Sequence, residues 1–339
     1  MRSNVKEAIQ LCCFPLTLLT NCSLIYLICT KSPTKLGTYK YLMIFFAVVS
    51  VSYSFFEALL SPLLLSYGDC FQVIATIQFV DYPSIDRYLL YYGCGFCGVI
   101  TSMFVVHFIY RFFALERRGN LKYFERWYFP CWLSVPLTVG LVWAQALFHF
   151  LYENEDSDEY IKNVMLEDYN KSLSEIVYVG VLYHKKAENG EDALNWTGIQ
   201  GVSILGGIMT ICFILIIYFG TRTYRKIKLL VLEGRSEFTR RLQKQLYHAL
   251  VIQTIIPVFF LILPLSVFFF SPLFHLGAQI IGDVTTLTIA FYPIIDPLPV
   301  IFVIDNYRNA VFELVGMRSK PKENTSGTNQ TNNISGSSS

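Results

Sequence analysis

The sequence predicts an all-α membrane protein: a seven-transmembrane helix bundle with its N-terminus outside and a short amphipathic helix after span seven. Two observations carry this prediction. Of the 339 residues, 53% are apolar and only 15% are charged, whereas a soluble domain carries about 25% charged residues. The apolar residues also form long blocks, each sufficient for the about 20 residues that a helix needs to cross a bilayer.

The spans are placed on the longest stretches that contain few charged residues. Five of them hold no charge, and two hold a single acid each, Glu57 and Asp296. The stretch 245–282 is charge-free over 38 residues, so a loop is predicted to begin near Pro272 and Gly277. The predicted spans are 8–30, 41–66, 88–110, 127–151, 197–221, 249–271 and 284–304. Helices are favoured because lipid offers no partner for an unpaired backbone N–H or C=O group.

The positions of the basic residues predict the orientation. Of the 27 basic residues, 20 lie after spans one, three, five and seven. Because cytoplasmic loops carry the excess of Lys and Arg, these segments are predicted to lie inside. Residues 1–316 then form the membrane domain, and residues 306–315 have the pattern of an amphipathic helix on the membrane surface. Residues 317–339, rich in Ser, Asn, Thr and Gly, are predicted to be a disordered cytoplasmic tail.

The outer loop over residues 152–195 is acidic, which is typical of a solvated surface; recruitment of cations or amines is the alternative. Its sequons predict glycosylation at Asn170 and Asn195, with Asn170 the better acceptor because Asn195 lies closer to the membrane. Residues 176–183 (IVYVGVLY) are β-branched and aromatic, which predicts a strand. With residues 188–190 as a turn, we expect a small hairpin over the outer mouth of the bundle.

The sequence contains no motif typical of an enzyme, such as Gly-x-Ser-x-Gly, His-Glu-x-x-His or a phosphate-binding loop. No cofactor, metal ion or nucleic-acid partner is predicted. Cys94 and Cys97 have the spacing of a zinc-binding or redox pair. A structural zinc site usually needs four ligands, so both cysteines are expected to be packing residues with free thiols. The sequence does not decide whether Cys70 and Cys94 form a disulfide.

Ionisable residues inside the spans are the best candidates for function, because polar groups in a membrane are costly and usually face the bundle interior. Glu57 is 17 residues into span two, roughly 25 Å from the inner surface at 1.5 Å per residue, and therefore near an outer ligand cavity. His107 and Arg111 lie one turn apart at the inner end of span three. For Glu57, Asp296 and His107, the alternative is a purely structural hydrogen bond between helices.

Prolines predict bent helices in the last two spans. Asp296 is followed by Pro297 and Pro299, which leave backbone groups unpaired. Span six contains Pro257 and Pro264, about two turns apart, and a doubly kinked helix next to a basic inner loop is a candidate moving part. Static bending is the alternative.

Four segments give the chain a family resemblance, in order and at the right spacing. They are residues 36–43 (LGTYKYLM), 106–114 (VHFIYRFFA), 249–257 (ALVIQTIIP) and 291–298 (FYPIIDPL). The chain resembles the nematode seven-transmembrane chemoreceptors of the str class. The resemblance implies an olfactory G-protein-coupled receptor in the plasma membrane of a sensory neuron, in its cilium, with a small-molecule odorant and a heterotrimeric G protein as partners. It assigns Tyr110 and Arg111 to G-protein coupling and Asp296 and Pro297 to a switch in span seven.

The sequence also departs from the wider receptor superfamily. Rhodopsin-like receptors have an acid before the arginine of span three, whereas Tyr110 precedes Arg111 here. The outer loop 152–195 has no cysteine, so the usual disulfide to span three cannot form.

The predicted ligand pocket lies in the upper half of the bundle. Its candidate lining residues are Glu57, Tyr91, Tyr92, Phe96 and Thr101. A lining of aromatic rings with a few hydroxyls suits a small, largely apolar molecule with one or two polar atoms. A ligand-gated channel is one alternative, but it would place the amino terminus inside, which the charges oppose. A secondary transporter is the other, but the chain shows no related halves.

Overall fold

The computed structural model describes residues 3–33, 36–76, 83–116, 120–124, 127–186, 192–229, 237–314 and 316. Within these residues, seven helical segments are long and apolar enough to cross a membrane, so the predicted seven-helix bundle is confirmed. Spans one to four are α1 (Ser3–Lys31), α2 (Tyr39–Leu60), α3 (Pro83–Ala114) and α4 (Tyr128–Phe150). The predicted tail, 317–339, lies outside the described residues.

The last three spans are longer than predicted, and two of them change geometry along their length. Span five is α6 (Trp196–Leu229). Span six consists of α7 (Glu237–Pro257), a π-helical segment (Val258–Ile262) and α8 (Leu263–Phe270). Span seven consists of α9 (Gln279–Ile295) and α10 (Leu298–Val303). The π-helical segment begins directly after Pro257 and ends just before Pro264, so the two prolines of span six bound a change in helix type.

Span two ends earlier than predicted, and its assignment over residues 61–66 is wrong. The helix stops at Leu60, and Ser61 adopts a left-handed conformation with φ of 40° while its N–H still donates to the Glu57 carbonyl. Pro62 follows, and a proline disfavours helical geometry in the residue before it. The charge-free run beyond Pro62 then enters a strand.

Span three lies at the centre of the bundle and packs closely against span four. Gly95 and Gly140 make this approach possible, because a Cβ atom on Gly95 would lie only 2.8 Å from the Gly140 carbonyl oxygen. Small residues at a contact allow membrane helices to bring their backbones together.

A three-stranded antiparallel sheet covers one end of the bundle, on the side predicted to be outside. Its strands are β1 (Leu63–Tyr67), β2 (Cys70–Thr76) and β3 (Ile176–Leu182), in the order β1-β2-β3. Helix α5 (Glu155–Tyr169) packs on the far face of the sheet through Ile161 and Met165. The strand predicted at 176–183 is therefore confirmed, but its partner is β2.

Alternate residues of β3 have different neighbours. Val177, Val179 and Val181 belong to the core of the bundle, whereas Ile176 and Tyr178 belong to the cluster beneath α5. A strand with both faces covered is apolar at nearly every position, which explains the unbroken apolar run in the sequence. The predicted hairpin forms just beyond it from β4 (His184–Lys186) and β5 (Asp192–Leu194); its predicted turn, 188–190, lies outside the described residues.

The helix predicted after span seven is present as α11 (Asp305–Leu314). Tyr307 on this helix is buried, and its hydroxyl lies 2.6 Å from that of Ser32 at the end of α1. The inner ends of the first and last spans are thereby joined.

Candidate functional site

A cavity of about 70 Å³ lies between the outer halves of the spans and the sheet. This space is several times the ~10–15 Å³ that one water molecule requires. Spans two to seven supply its walls, and β1, β2 and β3 cover it with Leu64, Phe71, Val73 and Val179. The lining is largely apolar, and its polar side chains are those of Tyr53, Glu57, Cys94 and Cys97. The lining suits a molecule with few polar atoms, and the volume, which is below the roughly 300–1,000 Å³ of typical ligand pockets, limits that molecule to a very small one.

Glu57 is the carboxyl group of this cavity. Its Oε1 accepts a hydrogen bond from the Tyr53 hydroxyl at 3.0 Å. Gln10 of span one donates through Nε2 to Glu57 Oε2 at 3.4 Å and to the Pro62 carbonyl oxygen at 3.1 Å. The neighbours of both carboxyl oxygens are thus neutral donors, and the group can also offer an oxygen to a ligand. The depth of Glu57 along span two predicts this same region.

The four other predicted pocket residues do not line the cavity. Tyr91 packs edge-on against Phe148, Tyr92 is 43% exposed, and the Thr101 hydroxyl donates to the carbonyl of Cys97 in its own helix. Phe96 stacks behind the cavity wall against the rings of Tyr53 and Phe56.

The face of span three that lines the cavity has smaller residues. It consists of Leu90, Gly93, Cys94 and Cys97. Their spacing of i, i+3, i+4 and i+7 is that of one helix face, and this spacing is visible in the sequence. The residues predicted instead are aromatic or carry a hydroxyl, and they occupy neighbouring faces. Cys94 and Cys97, predicted to be packing thiols, are therefore part of the cavity surface.

The disulfide left open in the sequence does not form, and Cys70 and Cys94 are both free. Cys70 is fully buried in the sheet between β1 and β3. Burial raises the pKa of its thiol to about 12, so the reactive thiolate is scarce at neutral pH. Cys70 acts as an apolar packing residue.

Arg111 lies at the opposite end of span three, in an aromatic environment. Only 3% of the residue is exposed, and its guanidinium carbon lies 4.5 Å from the centre of the Tyr39 ring. The Tyr39 hydroxyl is 3.2 Å from Nδ1 of His107, and Tyr110 packs against the same Tyr39 ring. Arg111 Nη2 is buried and has no hydrogen-bond partner among the described residues. The arginine is held by a cation–π contact.

Spans six and seven are joined at the break between α9 and α10. Gln253 of span six donates through Nε2 to the Asp296 carbonyl oxygen at 3.1 Å and to Oδ2 of the same residue at 3.3 Å. Pro297 has no N–H to offer the Pro293 carbonyl one turn earlier, and the Asn21 side chain of span one donates to that oxygen at 3.1 Å. The predicted interruption of span seven is stabilised by side chains from two other spans.

Ion pairs connect the inner ends of the helices. Lys226 of span five pairs with Glu116 at 3.1 Å, and Arg241 of span six pairs with Asp305 of α11 at 2.6 Å. Burial opposes the charge on Asp305, but a hydrogen bond from Gln245 and the charges of Arg241 and Arg308 hold its pKa below the usual value. Asp305 is therefore ionised at neutral pH.

A buried ion pair connects the outer ends of spans one and seven. Lys6 and Asp283 are both buried and in direct contact. The sequence alone does not predict that these two residues form a pair. A buried charge is stable only when paired, so a Lys in the first turns of span one and an acid at the start of span seven could have signalled this contact.

The two sequons differ in their surroundings. Asn170 is exposed at the end of α5, with φ of 52°. The carboxamide of Asn195 is engaged at both ends: Nδ2 donates to the Leu182 carbonyl at 3.0 Å, and Oδ1 accepts from the Gly198 N–H at 3.1 Å. Asn170 is the more accessible acceptor.

Comparison with known proteins agrees with this architecture. The model of the family "Serpentine type 7TM GPCR chemoreceptor Str" matches residues 6–312. The chain belongs to this family. A G-protein coupled receptor str-217 of Caenorhabditis elegans is 32% identical over 307 residues, which cover 89% of this chain and 87% of the relative. Serpentine receptor class r-10 of the same worm is 31% identical over 323 residues, with 92% of each chain covered, and its Caenorhabditis briggsae namesake is 29% identical over 316 residues.

Membership of this family makes the chain a multi-pass membrane protein of the G-protein-coupled chemoreceptor type. The family consists of receptors and not of enzymes. It gives no support to the channel and transporter alternatives.

Proposed function

We propose that the chain is an odorant receptor that binds a small, largely apolar molecule in the cavity beneath the sheet and activates a heterotrimeric G protein. The observation that carries this proposal is the cavity itself, an apolar space lined by the carboxyl group of Glu57, in a member of a chemoreceptor family. Glu57 and Tyr53 supply the polar contacts for the one or two polar atoms of the ligand. The sheet closes the cavity on the side predicted to be extracellular.

Ligand binding is coupled to the inner surface by a change in helix positions. A ligand that fits the cavity better when span six has moved shifts the population toward that state. Span six contributes Leu265 and Phe269 to the cavity and Gln253 to the contact with span seven. Its outward movement opens an inner cleft next to Arg111, which we assign to contact with the Gα subunit. Tyr110 supports Arg111, and Asp296 and Pro297 form the hinge in span seven.

The remaining assignments follow from the predicted topology. With the amino terminus outside, Asn170 is the glycosylation site and the acidic outer loop faces the medium. Residues 317–339 form the cytoplasmic tail. Delivery to the cilium of a sensory neuron is proposed from the family alone.

The test is a screen in cultured cells that express the chain with a reporter of G-protein dissociation. Small volatile molecules that differ only in their polar group should give concentration-dependent activation for one chemical class. Glu57→Gln should shift the half-maximal concentration by up to about tenfold at unchanged surface level, because a hydrogen bond contributes about 0.5–1.5 kcal/mol. Ser52→Ala, whose hydroxyl donates within its own helix to the Val48 carbonyl, is the matched control.

Two results would contradict the proposal at different levels. A chain that reaches the surface but activates no G protein with any class of odorant argues against receptor function. Equal potency in the wild type and in Glu57→Gln would leave receptor function intact and remove Glu57 from the site.

A further inference from the structure

Three side chains of types that can bind metal ions, from three segments distant in the chain, come together at the end of the sheet where β1 turns into β2. Asp69 lies in the turn between β1 and β2, His184 begins β4, and His275 lies in the loop between spans six and seven. Oδ1 of Asp69 is 2.5 Å from Nδ1 of His275 and 3.8 Å from Nδ1 of His184. The two imidazole rings stack with their centres 4.2 Å apart, and ligand atoms of all three residues lie within 4.8 Å of one another.

Backbone hydrogen bonds hold these segments together. Gly68 and Gly277 exchange hydrogen bonds, with N–O distances of 3.3 and 3.1 Å. The Tyr183 N–H donates to the Asp69 carbonyl at 3.0 Å. The three side chains of the cluster therefore project from backbone positions that the sheet and these hydrogen bonds fix.

One atom of the cluster has no hydrogen-bond partner. Nδ1 of His184 is buried and has none among the described residues, with the Asp69 carboxylate 3.8 Å away. A buried polar atom without a partner calls for an explanation, such as a bound ion. The left-handed conformation of His275, with φ of 58°, ends the short helix Pro272–Phe274, as is common at helix ends.

We propose that Asp69, His184 and His275 form a binding site for a divalent transition-metal ion of the Zn²⁺ type. Two imidazoles and one carboxylate are a ligand set that zinc uses at sites where water completes the coordination. Ligand atoms that bind a tetrahedral ion at about 2.0–2.1 Å lie roughly 3.3–3.4 Å from one another. The distance of 3.8 Å between Asp69 Oδ1 and His184 Nδ1 is close to this value. His275 is the exposed member, with 63% of its side chain accessible, and moves outward to admit the ion.

The ion would stabilise the position of the sheet over the cavity. His275 follows span six, and the Tyr183 hydroxyl, next to His184, already donates to the Phe269 carbonyl of that span at 2.7 Å. Phe269 lines the cavity. A metal ion bound to all three ligands joins the outer end of span six to the sheet that covers the cavity.

The test uses the purified full-length protein in detergent micelles and needs no odorant. Thermal unfolding and calorimetric titration are measured with Zn²⁺, and with Mg²⁺, which prefers oxygen ligands. We expect Zn²⁺ to raise the unfolding midpoint and Mg²⁺ to leave it unchanged. Asp69→Asn, His184→Gln and His275→Gln should each weaken Zn²⁺ binding by at least about tenfold, since even the loss of an outer partner of a metal ligand costs that much.

The control is His149→Gln, which alters an exposed histidine at the end of span four on the same side of the bundle. It should bind Zn²⁺ like the wild type. Midpoints measured without metal show whether each variant folds, and the exposed position of His275 makes its variant the safest. Absence of a Zn²⁺ effect in the wild type, or equal Zn²⁺ affinity in the wild type and the three ligand variants, overturns the proposal.

Discussion

Arg111 illustrates how the sequence can single out a residue without revealing its surroundings. The sequence shows an arginine at the inner end of span three and the absence of an acid before it. It does not show that Tyr39, a residue of span two distant in the chain, provides an aromatic ring 4.5 Å from the guanidinium carbon. Such contacts depend on helix rotation and depth, which local sequence does not determine.

We predict that Arg111→Ala abolishes G-protein activation and leaves odorant binding and surface level unchanged. The guanidinium lies at the inner end of span three, far along the helix from the cavity, so its loss should affect coupling alone. The measurement compares G-protein dissociation with ligand binding in the same membranes. Arg222→Ala, which removes an arginine that contacts Tyr218 of its own helix, is the control. Normal signalling by Arg111→Ala would contradict the coupling role.

For the face of span three that lines the cavity, the sequence shows the spacing of the residues but not the direction in which the face points. Leu90, Gly93, Cys94 and Cys97 share one helical face, but a sequence does not reveal which face is turned inward when the whole helix is apolar. Glu57 lies at the cavity, in the region that its depth along span two predicts, because a carboxyl group in a membrane strongly favours the interior. Apolar residues give no comparable signal.

At the scale of elements, the helices were predicted and the outer sheet was largely missed. Long charge-free runs identify spans because the bilayer imposes a minimum length. Strands β1 and β2 continue the apolar run of span two, and Pro62 was the local signal that the helix had ended. The pairing of β2 with β3 joins segments about a hundred residues apart, and no short-range pattern encodes that contact. The acidic helix α5 lies within a loop whose composition is also typical of a solvated surface.

Two of the contacts that hold the inner half of span six near its neighbours differ in strength. Arg241 is 69% exposed in its pair with Asp305, and exposed ion pairs contribute about 0–1 kcal/mol. The hydrogen bonds of Gln253 to Asp296 are buried, and a buried polar group that loses its partner costs about 1–3 kcal/mol. The Gln253 contact is therefore the stronger restraint on movement of span six.

We predict that Gln253→Leu raises ligand-independent G-protein activation by up to about tenfold, which corresponds to about 1.4 kcal/mol in the equilibrium between the two states. Basal reporter signal at matched surface level is the measurement. Thr254→Ala, whose hydroxyl donates only to the Leu250 carbonyl of its own helix among the described contacts, should leave basal activity unchanged. Basal activity in Gln253→Leu equal to that of Thr254→Ala would show that this contact does not restrain span six.

At the scale of the whole molecule, the chain is a helix bundle whose two ends have different features. The outer end has the cavity, its sheet and the cluster of Asp69, His184 and His275. The inner end has Arg111, the ion pairs and α11. The fold class and span order followed from composition, because a membrane restricts a chain to few architectures. The orientation stays a prediction from charge, since it depends on the membrane and not on contacts within the chain.

The central claim is that an odorant in the cavity beneath the sheet drives G-protein activation, and filling that cavity tests it most directly. Gly93 lines the cavity, and a Cβ atom there would meet only the flexible ends of Leu60 and Phe56, at 3.3 and 3.9 Å. Gly206 faces open space, because a Cβ atom there would meet no atom of the described residues within 4 Å. Gly206→Leu is therefore the matched control.

The measurement is the concentration–response curve for an activating odorant in cells expressing the wild type, Gly93→Leu or Gly206→Leu at equal surface level. We expect Gly93→Leu to lose the response, because the added side chain occupies the space that the ligand needs, while Gly206→Leu responds like the wild type. A response of Gly93→Leu with wild-type potency would contradict the central claim and place ligand binding elsewhere.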